Sequence, residues 1–185
     1  MRLTPGDIVF TRNTRLISKL IRWVTRAKGE PRSWASHVAL VSRAGELYGS
    51  PTGLPYVIEA LVGPGVVEQV WSASGRYAVA RALLLPPEEK IDIVRVAREY
   101  VGDKYTERAL LFHFLGLARL LAPFVGRRWR ICSWVVGIAY KKLGYTFGKK
   151  HEAALDPDDI FDFVSAECDK HDGKYAWIIP PQEDL

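Results

Sequence analysis

The 185-residue sequence predicts an α+β fold, because most of its strand-like segments fall before Pro86-Pro87 and most of its helix-like segments fall after. The tetrapeptide Ile131-Cys132-Ser133-Trp134 opens an apolar stretch with helical spacing, and far upstream Ser36-His37-Val38-Ala39-Leu40-Val41 reads as a strand led by a histidine. With 48% hydrophobic residues, a chain of this length can bury one core and is short for two, so residues 1–185 are expected to form a single domain.

The elements follow in order. Pro5-Gly6 is a turn, and Asp7 to Thr11 a short strand carrying Ile8, Val9 and Phe10. Residues 14–28 change period: Leu16, Ile17, Leu20, Ile21 and Val24 make one stripe, while Arg15, Lys19, Arg22 and Arg26 make another, the pattern of an amphipathic basic helix. Strand signals return at 37–42, 56–62, 66–71 and 77–85. From Glu88 to Val101 the spacing predicts a helix, with Pro87 in its first turn and Gly102 as its stop. An apolar segment, 109–125, precedes Arg127-Arg128-Trp129-Arg130. In the next helix Cys132, Val135, Val136, Ala139, Tyr140 and Leu143 share a face, so Cys132 leads a buried stripe and is expected to face the sheet. Asp156 to Ile160 reads as a turn into a short helix, and Tyr175 to Ile179 as a last strand.

A cysteine at a helix start has its pKa lowered by the unpaired N–H groups and the dipole of the first turn, and a nearby imidazole would enlarge the thiolate fraction and carry the proton. Cys132 and His37 are therefore the candidate nucleophile and base. Glu59 sits in an otherwise apolar strand, where a carboxylate needs a partner; an imidazole N–H is one, and an arginine is the structural alternative. Cys168, between Glu167 and Asp169, is expected to be the poorer nucleophile.

The ordered motifs Pro5-Gly6-Asp7-Ile8-Val9-Phe10, Ser36-His37-Val38-Ala39-Leu40-Val41, Val57-Ile58-Glu59-Ala60, Val101-Gly102-Asp103-Lys104-Tyr105 and Ile131-Cys132-Ser133-Trp134-Val135-Val136 resemble the circularly permuted branch of the NlpC-type, papain-like cysteine peptidases, and within it the YiiX/YebB-like group. Ordinary papain-like enzymes place the nucleophile before the histidine; in the permuted branch, as here, the histidine strand comes first. The resemblance covers roughly residues 5 to 165. It implies an antiparallel, partly barrelled sheet packed against the nucleophile helix, with Cys132 as nucleophile, His37 as base and Glu59 as the third polar residue. Tyr105 falls in the family's Gly-x-x-Tyr motif and is the candidate for lining the cleft or donating to an oxyanion. Thr106 stands where that motif commonly continues with Asp, and segments 14–28 and 109–125 are additions to a minimal member.

The expected activity is that of a cysteine peptidase or amidase passing through a thioacyl-enzyme, with cell-wall-type peptides or related amides as the substrates the resemblance implies. Two other readings share the sequence: a lipid acyltransferase or thioesterase using the same three residues, and a non-catalytic binding domain. Segments 14–28 and 109–125 together would give an apolar wall with cationic edges, suited to a lipid or a membrane surface. Nine Lys/Arg against Asp7 and Glu30 in residues 1–43, and ten Asp/Glu against Lys170 and Lys174 from residue 151 onward, make a basic front and an acidic tail. One basic run at 127–130 without a binding motif argues against nucleic acid. Cys168-Asp169-Lys170-His171 lacks a second ligand pair, so no metal or other cofactor is expected. Two cysteines exclude a disulfide scaffold, and the N-terminus has a turn where a signal peptide needs an apolar run, so a cytoplasmic setting is expected.

Overall fold

The computed structural model describes residues 1–12, 34–47, 53–72, 75–105 and 131–182. The expected basic helix 14–28 and the apolar segment 109–125 lie outside them, as does Arg127 to Arg130. The described chain is α+β. A two-stranded sheet pairs β1 (Arg2–Leu3) with β4 (Gly45–Glu46). The main sheet has six antiparallel strands in the order β6-β5-β3-β2-β7-β8, formed by β2 (Ile8–Arg12), β3 (His37–Arg43), β5 (Tyr56–Leu61), β6 (Gly65–Val70), β7 (Arg76–Ala82) and β8 (Tyr175–Ile179). Three α-helices are described, α1 (Pro87–Arg98), α2 (Cys132–Lys141) and α3 (Pro157–Cys168), with a 3-10 turn at Glu152–Ala154. Among the described residues no helix is long and apolar enough to cross a membrane.

The central strands are apolar on both sides, and this follows from two separate cores. Ile8, Phe10, Val38, Leu40, Ile58, Ala60, Ala78 and Ala80 alternate onto one side of the sheet, where they join Val135, Val136 and Ala139 of α2. Val9, Ala39, Val41, Val57 and Val79 alternate onto the other, where they meet Leu3, Leu47 and Trp71. A strand buried on both sides reads as a continuous apolar run, as Val38 to Val41 does.

Helix α1 begins with Pro87 in its first turn and places Glu88 and Glu89 there, with Arg95 and Arg98 in the last turn, all favourable to the helix dipole. It ends earlier than its spacing predicts, and the next residues tighten: Glu99, Tyr100 and Val101 donate three residues back to Val96, Ala97 and Arg98. Helix α3 runs twelve residues, longer than the short helix its sequence signals, because Ile160, Phe161 and Val164 continue a buried stripe beyond the turn. Its start is a capping box, with the Asp156 carboxylate accepting from Asp158 and Asp159 N–H and the Asp159 carboxylate accepting from Asp156 N–H.

Buried polar contacts fix how α2 lies on the sheet. Near its start, the Ser133 hydroxyl donates to the Leu155 carbonyl at 2.6 Å; two turns on, the Tyr140 hydroxyl donates to the Gly6 carbonyl at 2.9 Å. Gly137 lies between them, and a Cβ there would come within 2.9 Å of Leu155 Cδ1, so glycine permits the close approach of the 3-10 turn. The turn before β2 is held by Asp7, fully buried, whose carboxylate accepts two hydrogen bonds from the Arg81 guanidinium at 2.8 and 2.7 Å and one from Thr4 N–H at 2.8 Å.

Asp7→Ala therefore strands the Arg81 guanidinium and a backbone donor, and is expected to lower unfolding free energy by roughly 2–4 kcal/mol. Arg95→Ala, which breaks the exposed Arg95–Asp92 pair, should cost no more than about 0.5 kcal/mol. Urea unfolding of the two variants, compared at equal m-value, checks the contrast.

Candidate functional site

Cys132 is the first residue of α2, and Ile131 before it is extended (φ −115°, ψ 164°). The first N–H groups of a helix have no carbonyl acceptor within it. The Ser133 N–H donates to the Cys132 sulfur, and so does the Val38 N–H of β3. That second donor comes from a break in the sheet. The β3/β5 ladder pairs Arg43, Val41 and Leu40 with Tyr56, Val57 and Ile58, and it stops there; Glu59, Ala60 and Leu61 continue instead with β6. At the His37 end of β3, the helix start meets the strand where the neighbouring strand has parted from it.

The imidazole of His37 bridges the cysteine to a carboxylate. Its Nε2 donates to Glu59 Oε2 at 2.6 Å, which leaves Nδ1 for the hydrogen bond with the Cys132 sulfur. The other oxygen of Glu59 is held as well, because Gln69 Nε2 donates to Oε1 at 2.7 Å. By the two-residue alternation, His37 shares the side of Ala39 and Val41 in β3, and Glu59 that of Val57 in β5. Gln69 pairs with Val57 across the β5/β6 ladder and Glu59 with Val67, so Gln69 is the diagonal neighbour of Glu59 on one face. The thiol, the imidazole, the carboxylate and the amide thus form a chain from a helix start across three strands.

The charges in this chain are coupled. Burial pushes the Cys132 thiol up, but the charge of His37, its hydrogen bond and the N–H groups of Val38 and Ser133 outweigh it and hold the thiol below its usual value. Burial works against the His37 imidazolium too; the Cys132 sulfur and the Glu59 carboxylate overcome it and raise the His37 pKa to about 10. Glu59, penalised by burial, is held below the usual carboxylate range by His37 and Gln69. Both shifts favour a thiolate facing an imidazolium over the neutral pair. The side chains of His37 and Glu59 keep 21% and 12% of their exposure, so the ion pair sits at the edge of the core and not in its depth.

Two further contacts set the entry to β3. Ala35 N–H donates to Asp158 Oδ1 at 3.4 Å, and the Ser36 N–H and hydroxyl both donate to the Thr11 carbonyl, at 3.0 and 3.1 Å. Tyr105 is half-buried and packs against the main core. Its segment is hooked to β6: Gly102 N–H donates to the Val66 carbonyl and Val66 N–H to the Asp103 carbonyl. Gly65 makes room for this, with φ at +85° and a position where a Cβ would lie 2.2 Å from the Asp103 oxygen.

Sequence reasoning named Cys132, His37 and Glu59 separately and missed Gln69, which on an exposed strand end reads as solvated surface. The signal was present: the Val62-Gly63-Pro64 turn sets the β5/β6 pairing, and the pairing puts Gln69 beside Glu59. His151 caps the 3-10 turn by accepting from Ala153 N–H at 3.2 Å, a local contact that spacing alone does not reveal. Cys168 ends α3, where burial first, and then the charges of Asp169 and Glu167, push its thiol up to about 11.

No protein-family model matches the sequence, and no curated protein matches it. The chain is similar in structure to the metalloprotein YiiX of Escherichia coli, a DUF1105 protein, with 20% identity and a TM-score of 0.54 over 97% of this chain and 89% of that one. At this identity the likeness is one of fold. The residues described do not fit a metal: no group of three or more His, Cys, Asp or Glu side chains is placed to hold an ion among them, and both nitrogens of His37 are already engaged.

At pH 7 iodoacetamide is expected to alkylate Cys132 at least about tenfold faster than Cys168, with the Cys132 rate persisting well below the free-thiol pKa of about 8.5. In His37→Ala, burial acts on the thiol against the Val38 and Ser133 N–H groups alone, so its apparent pKa should rise to the free value or above. Mass-spectrometric labelling rates across pH, by site, give both results.

Proposed function

We propose that the protein is a cysteine hydrolase of the permuted, papain-like NlpC type, cleaving an amide bond with Cys132 as nucleophile, His37 as base and then acid, and Glu59 as the residue that orients His37. The observation that carries this reading is the hydrogen-bonded chain from the Cys132 sulfur, at a helix start, through the His37 ring to Glu59. The YiiX-like fold and the order of the sequence motifs support it. Amide-bearing small molecules of the cell-wall-peptide class are the substrates this reading favours.

The steps follow from the charges. The Cys132 thiolate attacks the carbonyl carbon, forming the C–S bond as the π pair moves onto oxygen. The backbone N–H of Cys132, at the first helical position, is assigned to the developing oxyanion. As the C–N bond breaks, the departing amine takes the proton from His37 Nδ1 and leaves a thioester on Cys132. Water then attacks that thioester, giving its proton to His37, and collapse of the second tetrahedral adduct returns the thiolate and releases the carboxylic acid. Throughout, Glu59 keeps the proton on Nε2 and so keeps Nδ1 facing the sulfur. Tyr105, on the segment hooked to β6, is assigned to the cleft wall.

Activity should rise as pH passes the lowered pKa of Cys132 and fall as His37 loses its proton near about 10. Cys132→Ala should abolish turnover, and Glu59→Gln should cost roughly ten- to a thousandfold in kcat with a smaller change in KM. Parallel assays on a cell-wall-type peptide and an acyl thioester, with Cys132→Ala as control, test the substrate class. Cys132-dependent turnover of the peptide supports the proposal. Turnover of the thioester alone points to the acyltransferase or thioesterase reading, and no Cys132-dependent turnover across the panel points to a binding domain.

A further inference from the structure

We infer that Gln69 is a positioning residue for His37, acting through Glu59, an assignment that rests on the thiolate–imidazolium reading of the site. Glu59 has two carboxylate oxygens and one imidazole to serve. Oε2 meets His37 Nε2 at 2.6 Å, and Oε1 would be free to turn the carboxylate toward water were it not tied to Gln69 Nε2 at 2.7 Å. The tie is built into the sheet, since Val57↔Gln69 and Glu59↔Val67 are alternate rungs of the β5/β6 ladder with Ile58↔Glu68 between them, which sets the two side chains diagonally on one face.

The kind of donor matters as much as its place. An amide N–H orients the carboxylate without bringing a charge, so the full negative charge of Glu59 remains for the imidazolium. Lysine or arginine at the same position would hold the carboxylate equally well but would compete with His37 for it, and a second cation would weaken the imidazolium. Without Gln69, Glu59 keeps its charge but loses one of the two contacts that fix its plane. The carboxylate then shares its time between His37 and solvent, and the imidazolium loses part of its support.

The test follows the His37 ring by NMR titration of its imidazole nitrogens, which needs no substrate. Gln69→Val removes the donor while retaining a residue suited to a strand. In the wild-type protein His37 should titrate near about 10. In Gln69→Val its midpoint should fall by roughly half to one pH unit, while the Cys132–His37 contact persists. The double variant Gln69→Val/Glu59→Gln should titrate like Glu59→Gln alone, because a residue that acts through Glu59 has nothing left to act on. A wild-type His37 that titrates near 6.5 would overturn the ion-pair reading and this inference together. A high wild-type midpoint that Gln69→Val leaves in place, or an equal shift with and without Glu59, would overturn the role of Gln69 and leave the ion pair standing.

Discussion

The contact between the Cys132 sulfur and the His37 ring is the constraint to which the rest of the described structure answers. It asks for a helix start and a strand start to meet at a point screened from bulk water, yet with enough polar groups to hold two opposite charges. An ion pair taken out of water costs several kcal/mol per ion unless hydrogen bonds replace the lost solvent. Here the Cys132 sulfur receives the Val38 and Ser133 N–H groups besides His37, and the His37 ring donates to Glu59, itself held by Gln69. The N–H of Val38 is available because the β3/β5 ladder stops at Leu40↔Ile58. Parting of two strands, which elsewhere leaves orphaned backbone groups, supplies the site with a donor.

That geometry depends on the angle at which α2 lies, and apolar packing alone leaves a helix some freedom to roll. Val135, Val136 and Ala139 bury the helix against the sheet, but directional bonds at each end choose one orientation: Ser133 to the Leu155 carbonyl and Tyr140 to the Gly6 carbonyl. Gly6 is itself placed by backbone bonding to Val41 and by the Asp7–Arg81 pair next to it. The Pro5-Gly6-Asp7 turn stands in a different part of the sequence from Cys132 and His37, and it receives the far end of the helix that Cys132 opens. Burial, and then the charges of Tyr175 and Asp7, push the Tyr140 hydroxyl up, so it stays a donor to that carbonyl.

The sequence carried the three ionisable members of the site because each is a local anomaly: a cysteine opening an apolar helix, a histidine opening an apolar strand, a carboxylate inside one. What it did not carry locally is register. The relation of Gln69 to Glu59, and the parting of β3 from β5 that frees Val38, are properties of strand pairs, visible only once pairing is known. Boundaries differ for a similar reason. The α1 spacing extends to Val101, yet regular helix stops at Arg98 because the residues that follow tighten and Gly102 and Asp103 are drawn onto β6. In α3, Asp156-Pro157 signals the start strongly and nothing as local signals the length, which the buried stripe of Ile160, Phe161 and Val164 sets.

The two cysteines show that the acidity of a thiol here belongs to position and not to residue type. Cys132 opens a helix, where unpaired N–H groups and the positive end of the dipole favour an anion; Cys168 is the last residue of α3, where carbonyls and the negative end oppose one. Burial raises both thiols, so desolvation does not separate them. The separation comes from neighbours. Cys132 faces an imidazolium and two N–H donors, whereas Cys168 lies between Glu167 and Asp169 with one N–H, that of Trp177, on its side. Desolvation amplifies whichever sign the neighbours set, because charges interact more strongly where water is excluded. The same burial that makes Cys168 a poor thiolate therefore strengthens the hold of His37 on Cys132, and a more open site would weaken both effects together.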